Sequence, residues 1–183
     1  MMKRNSRLIL LLLLLFSLIG CYVLVNYISA KNAAAVELSK TIAVIPNLQQ
    51  EEITKLMWEY KGEVVKLSKS GEIWQAEADP DLSIDQTYPA AMTSAIVSLT
   101  ATRELTGIES TSEYGLDTPS FSYVITTADQ KEIVLTVGDR SSINSDYYLT
   151  VSGRDSVYLV DDTLISAFLY GLADLEKTAV TTP

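Results

Sequence analysis

The sequence predicts an α+β protein in which an N-terminal transmembrane helix is followed by antiparallel β-meanders and two packed helices. Three observations predict this class. A long uncharged run stands near the N-terminus, short alternating runs are separated by glycine-containing turns, and two later segments carry apolar residues at helical spacing. About 150 residues follow the N-terminal segment, which suits one domain with a hydrophobic core.

The first element is an uncharged run of 21 residues from Leu8 to Ile28. As a helix it would measure about 31 Å, which matches the hydrocarbon core of a bilayer. Because Lys3, Arg4 and Arg7 precede it, we expect a cytoplasmic N-terminus and an extracytoplasmic domain. Residues 1–28 are therefore predicted to form a cytoplasmic tip and a single-pass anchor in the cell membrane, with residues 8–28 in the lipid bilayer.

Three interpretations of this run stay open, and all of them place the domain outside the cytoplasm. We favour an uncleaved anchor, since the hydrophobic region of a cleaved signal peptide is usually shorter. Leu18-Ile19-Gly20-Cys21 resembles the bacterial lipobox, in which the cysteine is lipidated. However, Tyr22-Val23-Leu24-Val25 stays apolar, where a mature lipoprotein would usually begin with a polar tether.

Residues 29–41 form an alanine-rich connector, residues 42–177 the domain and residues 178–183 a C-terminal tail. The first half of the domain reads as short strands separated by turns at Lys61-Gly62 and Ser70-Gly71, which predicts an antiparallel meander. The predicted strands are Ile42–Ile45, Ile53–Tyr60, Glu63–Lys69 and Glu72–Glu77.

A helix is predicted next, capped by Asp85 or Thr87, with Pro89 in its first turn. Its apolar face consists of residues at the spacing i, i+3, i+4 and i+7, namely Met92, Ala95, Ile96 and Leu99. The helix is expected to end near Thr100, before a short strand from Thr102 to Thr106.

The second half repeats the order of strands followed by a helix. The helix should be capped by Asp161 or Asp162, and its apolar face should hold Ile165, Phe168, Leu169 and Leu172. One hypothesis is an internal duplication that relates Glu63–Gly71 to Lys131–Asp139, and the alternative is chance recurrence. The strands predicted in this half are Ser120–Thr127, Glu132–Gly138, Tyr147–Val151 and Ser156–Val160.

Composition excludes several function classes. Residues 31–183 hold 11 basic and 23 acidic residues, a net charge of −12, so the domain should repel phosphate backbones and we expect no nucleic-acid partner. The chain has no histidine, and its one cysteine, Cys21, lies in the hydrophobic run. Histidine-based nucleophile systems are therefore absent, and the domain has no disulfide.

No constellation in the sequence predicts catalysis, so we expect no enzyme activity, no catalytic residue, no cofactor and no metal ligand. Asp79, Asp81 and Asp85 suggest a calcium loop, but Ile84 and Ala90 occupy the positions where an EF-hand needs glycine and glutamate. An aromatic ligand platform is a second alternative, although core packing explains its members better. These are Trp58, Trp74, Tyr123, Tyr147, Tyr148 and Tyr158.

One group of motifs carries a family resemblance. The hexapeptide Tyr114-Gly115-Leu116-Asp117-Thr118-Pro119 is followed by Val137-Gly138-Asp139, Tyr147-Tyr148-Leu149 and Val157-Tyr158-Leu159-Val160, and Ile73-Trp74 stands upstream. In this order they resemble the domain-of-unknown-function 4340 family over roughly Ile53 to Lys177. In the hexapeptide, Gly115 should take a positive φ, Asp117 should bind the backbone two residues on, and Pro119 should fix the start of the next strand.

The resemblance implies an N-terminal anchor and an extracytoplasmic domain, and it links some members to ABC-type transport and gliding motility. It supplies no catalytic residues, and this chain is shorter than the gliding-related members. We therefore expect a membrane-anchored, non-catalytic interaction or accessory module of an envelope or ABC-type transport system, with a transport-system permease as partner. The alternative is an envelope-localised binder of a small molecule or cell-wall component.

Overall fold

One nine-stranded antiparallel sheet forms the frame of the domain in the computed structural model, which describes Tyr22 and residues 41–177. The predictions for the anchor, the connector before Thr41 and the C-terminal tail concern residues outside this part of the chain, except for Tyr22. The strand order is β1-β5-β9-β8-β7-β6-β2-β3-β4. The strands are β1 (Ile42–Ala43), β2 (Ile53–Tyr60), β3 (Glu63–Ser70), β4 (Ile73–Ala76), β5 (Thr100–Leu105), β6 (Phe121–Thr127), β7 (Glu132–Arg140), β8 (Tyr147–Val151) and β9 (Val157–Val160).

Two meanders meet at the middle of the sheet. The strands β2, β3 and β4 follow one another on one side, and β6, β7, β8 and β9 follow on the other. The turn between β2 and β3 has positive φ at both Lys61 (52°) and Gly62 (83°), the geometry of the hairpin turn that matches strand twist. The predicted antiparallel meanders are thus confirmed, and the central pair β2–β6 joins them through contacts such as Leu56 with Ile125.

The first predicted helix is α1, Thr87–Val97, and Met92, Ala95 and Ile96 of its predicted apolar face lie in it, whereas Leu99 follows its end. Met92, Ala95, Ile96 and Leu99 are all buried. Asp85 Oδ1 accepts hydrogen bonds from the backbone N–H of Thr87 at 3.0 Å and from its hydroxyl at 2.7 Å, so Asp85 fixes the start of the helix. The helix ends three residues before Thr100, which leaves room for β5 to begin earlier than predicted.

The prediction of a long second helix was wrong. The helix α2 spans only Thr163–Ala167, and a 3-10 helix follows at Leu172–Leu175. Phe168 is buried as predicted, but Leu169 is 42% exposed because the chain has already left the helix. Asp161, rather than Asp162, makes the cap contact, since its Oδ1 accepts the backbone N–H of Thr163 at 3.0 Å.

Aromatic contacts fix the second helical segment against the sheet. The ring of Phe168 lies 5.3 Å from Trp58 and 4.6 Å from Tyr123, measured between centroids. The indole N–H of Trp58 donates to the carbonyl of Tyr170 at 2.9 Å, which satisfies the one polar group of a side chain that is 1% exposed. A large antiparallel sheet and two helices sharing one core confirm the α+β class.

The strands that the duplication hypothesis relates, β3 and β7, occupy matching places, because each flanks the central β2–β6 pair. The duplication itself stays a prediction. Among Tyr22 and residues 41–177, no helix combines the length and the apolar character that crossing a membrane requires.

Candidate functional site

The hexapeptide loop and the Gly-Asp pair, far apart in the sequence, touch each other in the structure. A Cβ placed on Gly138 would lie 2.1 Å from the carbonyl oxygen of Tyr114 and 3.1 Å from Cγ of Leu116. Gly138 does not have a positive φ, so a side chain is excluded here by space and not by backbone conformation. The glycine therefore allows the loop to lie directly on β7.

Gly115 confirms the predicted left-handed turn. Its φ is 69°, it ends the 3-10 helix Ser112–Tyr114, and its N–H donates to the carbonyl of Ser112 at 3.2 Å. The prediction for Asp117 was wrong in detail. Its Oδ1 accepts the hydroxyl of Thr111 at 2.7 Å, so the carboxylate ties the two ends of the loop together instead of binding its own following backbone.

The remaining motif pieces join the same cluster. The ring of Tyr114 lies 4.8 Å from that of Tyr148 on β8, and Leu116 is buried. After Pro119, the N–H of Ser120 donates to the carbonyl of Val137 at 2.9 Å, which sets the register of β6 on β7. The polar groups of the motif thus serve the packing of the loop, which favours the interpretation of the hexapeptide as a structural turn.

The aromatic side chains do not form a surface platform. Trp58, Trp74, Tyr123 and Tyr158 are buried in the core, while Tyr147 and Tyr148 are half-buried. Core packing, the preferred interpretation, is confirmed for the first four. Tyr123 is unusual among them, because its hydroxyl has no hydrogen-bond partner among the described residues, and burial raises its pKa.

Two of the three aspartates of the suggested calcium loop, Asp79 and Asp85, hold local turns through their carboxylates. Asp79 Oδ1 accepts the backbone N–H of Asp81 at 3.2 Å, and Asp85 holds the start of α1. The pKa of Asp85 is lowered by the hydrogen bonds from the backbone and the hydroxyl of Thr87. Within the part of the chain that the structure describes, no three carboxylates, cysteines or histidines are grouped to hold a metal ion.

A groove of about 450 Å³ lies where the segment after β1 meets the β6–β7 turn. Its wall contains the buried apolar side chains of Ile45, Ile133 and Val151, and charged residues, including Lys131 and Arg154, line it as well. This volume falls in the range of small-molecule sites. The lining comes from three separate stretches of chain, so no local sequence signal could have revealed it.

The charged lining of the groove is held by main-chain and hydroxyl contacts. Arg154 Nη1 donates to the carbonyl of Val44 at 2.7 Å and to the hydroxyl of Tyr158 at 3.2 Å. Across the groove, the hydroxyl of Thr127 donates to Asp129 and lowers the pKa of that carboxyl. Cationic and anionic groups thus line the same opening, a mixture that suits a ligand with both polar and apolar parts.

The fold and these contacts define the class of protein: an acidic α+β domain whose recognisable motif holds a loop on an antiparallel sheet. A family profile described as "Domain of unknown function (DUF4340)" matches residues 74–183. The chain belongs to that family. The match begins at Trp74, so β2 and β3, which the resemblance also covered, lie before it. No curated protein and no solved structure gives a significant match.

Proposed function

We propose that this chain is a membrane-anchored, extracytoplasmic, non-catalytic interaction or accessory module of an envelope or ABC-type transport system. The observation that carries the proposal is the uncharged run of 21 residues, Leu8–Ile28, preceded by basic residues and followed by an acidic folded domain. A run of that length and polarity favours a single span with its N-terminus inside.

The contacts of the family motif support a non-catalytic role. Asp117 is engaged by Thr111 within its own loop, and Gly138 serves the close approach of that loop to β7. A general acid or base needs a proton-transfer group within reach of a substrate, and the chain has no histidine to supply one near neutral pH. A permease-type membrane protein is the partner that an anchored accessory domain would meet.

The orientation is tested by cysteine labelling, since Cys21 is the one native cysteine. In a Cys21→Ser background, Ile143→Cys places a thiol on a loop residue that is 94% exposed, and Met2→Cys places one before the anchor. A membrane-impermeant maleimide added to intact cells should label the first and spare the second. The reverse pattern, or equal labelling of both, would overturn the proposed orientation.

The accessory role is tested by purification of the tagged full chain in a mild detergent after crosslinking in cells. We expect one integral membrane protein to co-purify repeatedly. In a matched control, an unrelated transmembrane segment replaces residues 8–28. If the partner binds the domain, this variant should still co-purify with it. Repeated purifications with no partner would contradict the proposal.

The Cys21→Ser chain should keep its location and apparent mass, whereas loss of a lipid label would establish the lipoprotein alternative.

The second candidate function is binding of a small molecule or cell-wall component, and the groove beside Arg154 favours it. A true ligand in a metabolite and glycan panel should then raise the melting temperature of the full chain, because it stabilises the folded state by RT ln(1 + [L]/Kd). Arg154→Gln should reduce that rise, while Arg103→Gln, outside the groove, should leave it unchanged. A panel with no effect would remove this candidate.

A further inference from the structure

The groove beside Arg154 contains an arginine whose head group is held in place through one nitrogen. Arg154 Nη1 donates to the carbonyl of Val44 at 2.7 Å and to the hydroxyl of Tyr158 at 3.2 Å. A guanidinium carries five N–H donors, and these two contacts use both donors of Nη1. The remaining donors, on Nε and Nη2, form the fork that binds the two oxygens of one carboxylate side by side.

A second cation lines the same groove. Lys131 comes from the turn before β7, whereas Arg154 comes from the turn before β9. Within the described part of the chain, neither of them belongs to a salt bridge. The groove therefore offers an anionic ligand two positive charges that arrive from separate turns.

The acids of the lining are engaged by their own turns or point elsewhere. Glu52 Oε2 accepts a backbone N–H of its own 3-10 turn at 2.8 Å, and Asp129 accepts the hydroxyl of Thr127. Glu132 precedes Ile133 on β7 and points to the opposite face of the sheet, because successive side chains of a strand alternate. The two cations are therefore the better contact for a charged ligand.

The wall of the groove is apolar. Ile45, Ile133 and Val151 are buried side chains that line it, and the half-buried Leu48 joins them. Ile133 and Val151 lie on one face of the sheet, since Leu135 pairs with Val151 and stands two residues after Ile133. A ligand that suits this groove brings an apolar body to the wall and an anionic group to the cations.

We propose that the groove binds a small molecule that consists of an apolar body and one carboxylate. The carboxylate accepts from Nε and Nη2 of Arg154, Lys131 adds a second positive charge, and the body packs on Ile45, Ile133 and Val151. Because the domain is strongly acidic, it disfavours anions in general, and binding requires both parts of the ligand. The inference rests on the second candidate function and names the chemical class of its ligand.

The test uses the full chain in mild detergent and three fluorinated probes of similar size, with binding followed by the broadening of their fluorine NMR signals. The probes are para-fluorophenylpropionate, the corresponding amide and the corresponding amine, and detergent alone is titrated in parallel. The propionate should bind about tenfold or more tightly than the amide, because hydrogen bonds to a charged acceptor are stronger. The amine should bind no better than the amide, and fluoroacetate, which lacks the apolar body, should show no binding.

Variants of the two cations locate the carboxylate. Arg154→Gln should weaken the propionate by about tenfold and leave the amide unchanged, and Arg154→Lys, which keeps the charge and loses the fork, should recover only part of the loss. Lys131→Gln should weaken the propionate by about threefold. This second variant stays informative if loss of the Arg154 contact with Val44 disturbs the segment after β1. Arg103→Gln, outside the groove, is the matched control and should change nothing.

Several results would overturn the inference. These are equal binding of the propionate and the amide, tighter binding of the amine, unchanged binding in the variants of both groove cations, and equal loss in the Arg103 control. No binding of any probe would overturn it as well. A rise in melting temperature caused by a ligand of another class would then leave the second candidate function intact, and a co-purifying membrane protein would leave the accessory role intact.

Discussion

The buried hydroxyl of Tyr123 gives the sharpest prediction of stability. The side chain is 2% exposed, and its oxygen has no partner among the described residues. Burial of an unpaired hydroxyl costs about 1–3 kcal/mol in mutational data. The ring contacts do not depend on this oxygen, because Phe121 stacks at 6.4 Å and Phe168 lies at 4.6 Å from the ring centroid.

Tyr123→Phe should therefore raise the free energy of unfolding by about 1–2 kcal/mol, after a small loss for the space left by the oxygen. For a domain of this size the melting temperature should rise by about 3–8 °C. Both tryptophans of the chain, Trp58 and Trp74, lie in this domain, so their fluorescence reports its unfolding. The half-buried Tyr148 provides a control, and Tyr148→Phe should change stability by less than about 0.5 kcal/mol.

The same substitution has a predicted pH dependence. Burial raises the pKa of Tyr123 above that of a free tyrosine, so the folded chain keeps a proton that the unfolded chain loses above about pH 10. The free energy of unfolding is therefore unaffected by this ionisation below about pH 10, and above that pH it falls by up to about 1.4 kcal/mol per pH unit because the unfolded chain is ionised first. The advantage of Tyr123→Phe should grow in this range. A variant that is no more stable than the parent at neutral pH would refute the reasoning, since it would show that the hydroxyl is satisfied.

Three other substitutions test contacts that the fold depends on. Gly138→Ala should lower the free energy of unfolding in urea by about 3 kcal/mol or more, because the added Cβ meets the carbonyl oxygen of Tyr114. Gly153→Ala is the control: it has open space but a φ of 75°, and it should lower that free energy by only about 1 kcal/mol. At the β4 edge of the sheet, Gln86 Oε1 accepts the N–H of Trp74 at 2.8 Å and Gln86 Nε2 donates to the carbonyl of Trp74 at 3.0 Å. Gln86→Ala should therefore lower stability by about 1–3 kcal/mol and increase concentration-dependent aggregation in light scattering, whereas Gln75→Ala at an exposed position of β4 should do neither. Trp58→Phe removes the hydrogen bond to the main-chain carbonyl of Tyr170 and should lower the free energy of unfolding by about 1–3 kcal/mol. Equal costs for the two glycine variants would contradict the close contact at Gly138. Unchanged aggregation of Gln86→Ala would contradict the role of Gln86 at the strand edge, and an unchanged free energy of unfolding for Trp58→Phe would contradict the hydrogen bond of Trp58.

Local pattern predicted most of the strands because clear turns separate them and many of them alternate apolar and polar residues, although β9 is apolar throughout. Ile53–Tyr60 was predicted with its observed bounds, and Tyr147–Val151 likewise. The second helix was predicted too long because Phe168 and Leu172 repeat at a spacing that both a helix and a helix followed by a 3-10 turn satisfy. The helix ends at Ala167, and the extended backbone of Gly171, with ψ of 175°, stands directly before the separate 3-10 helix.

Long-range features could not be read from the sequence. The pairing of β5 with β9 joins residues about fifty positions apart, and nothing local specifies it. The contact of Gly138 with the hexapeptide is of the same kind, although the motif resemblance had already singled out both pieces. Gln86 was passed over in favour of its neighbours Asp85 and Thr87 as helix caps. A glutamine that binds a strand edge leaves no pattern in its own segment.

The position of β9 has a consequence for how the protein is made. Strand β9 is what links β5, and through it β1, to the rest of the sheet among the described residues. A ribosome releases β1 before β2, β3 and β4, then β5, and β9 only about fifty residues after β5. The pair β1–β5 must therefore wait for β9, while the other strands can pair among themselves. A nascent chain stopped just after Val151 would lack β9, so β1 and β5 could pair with each other but no strand would join them to the rest of the sheet.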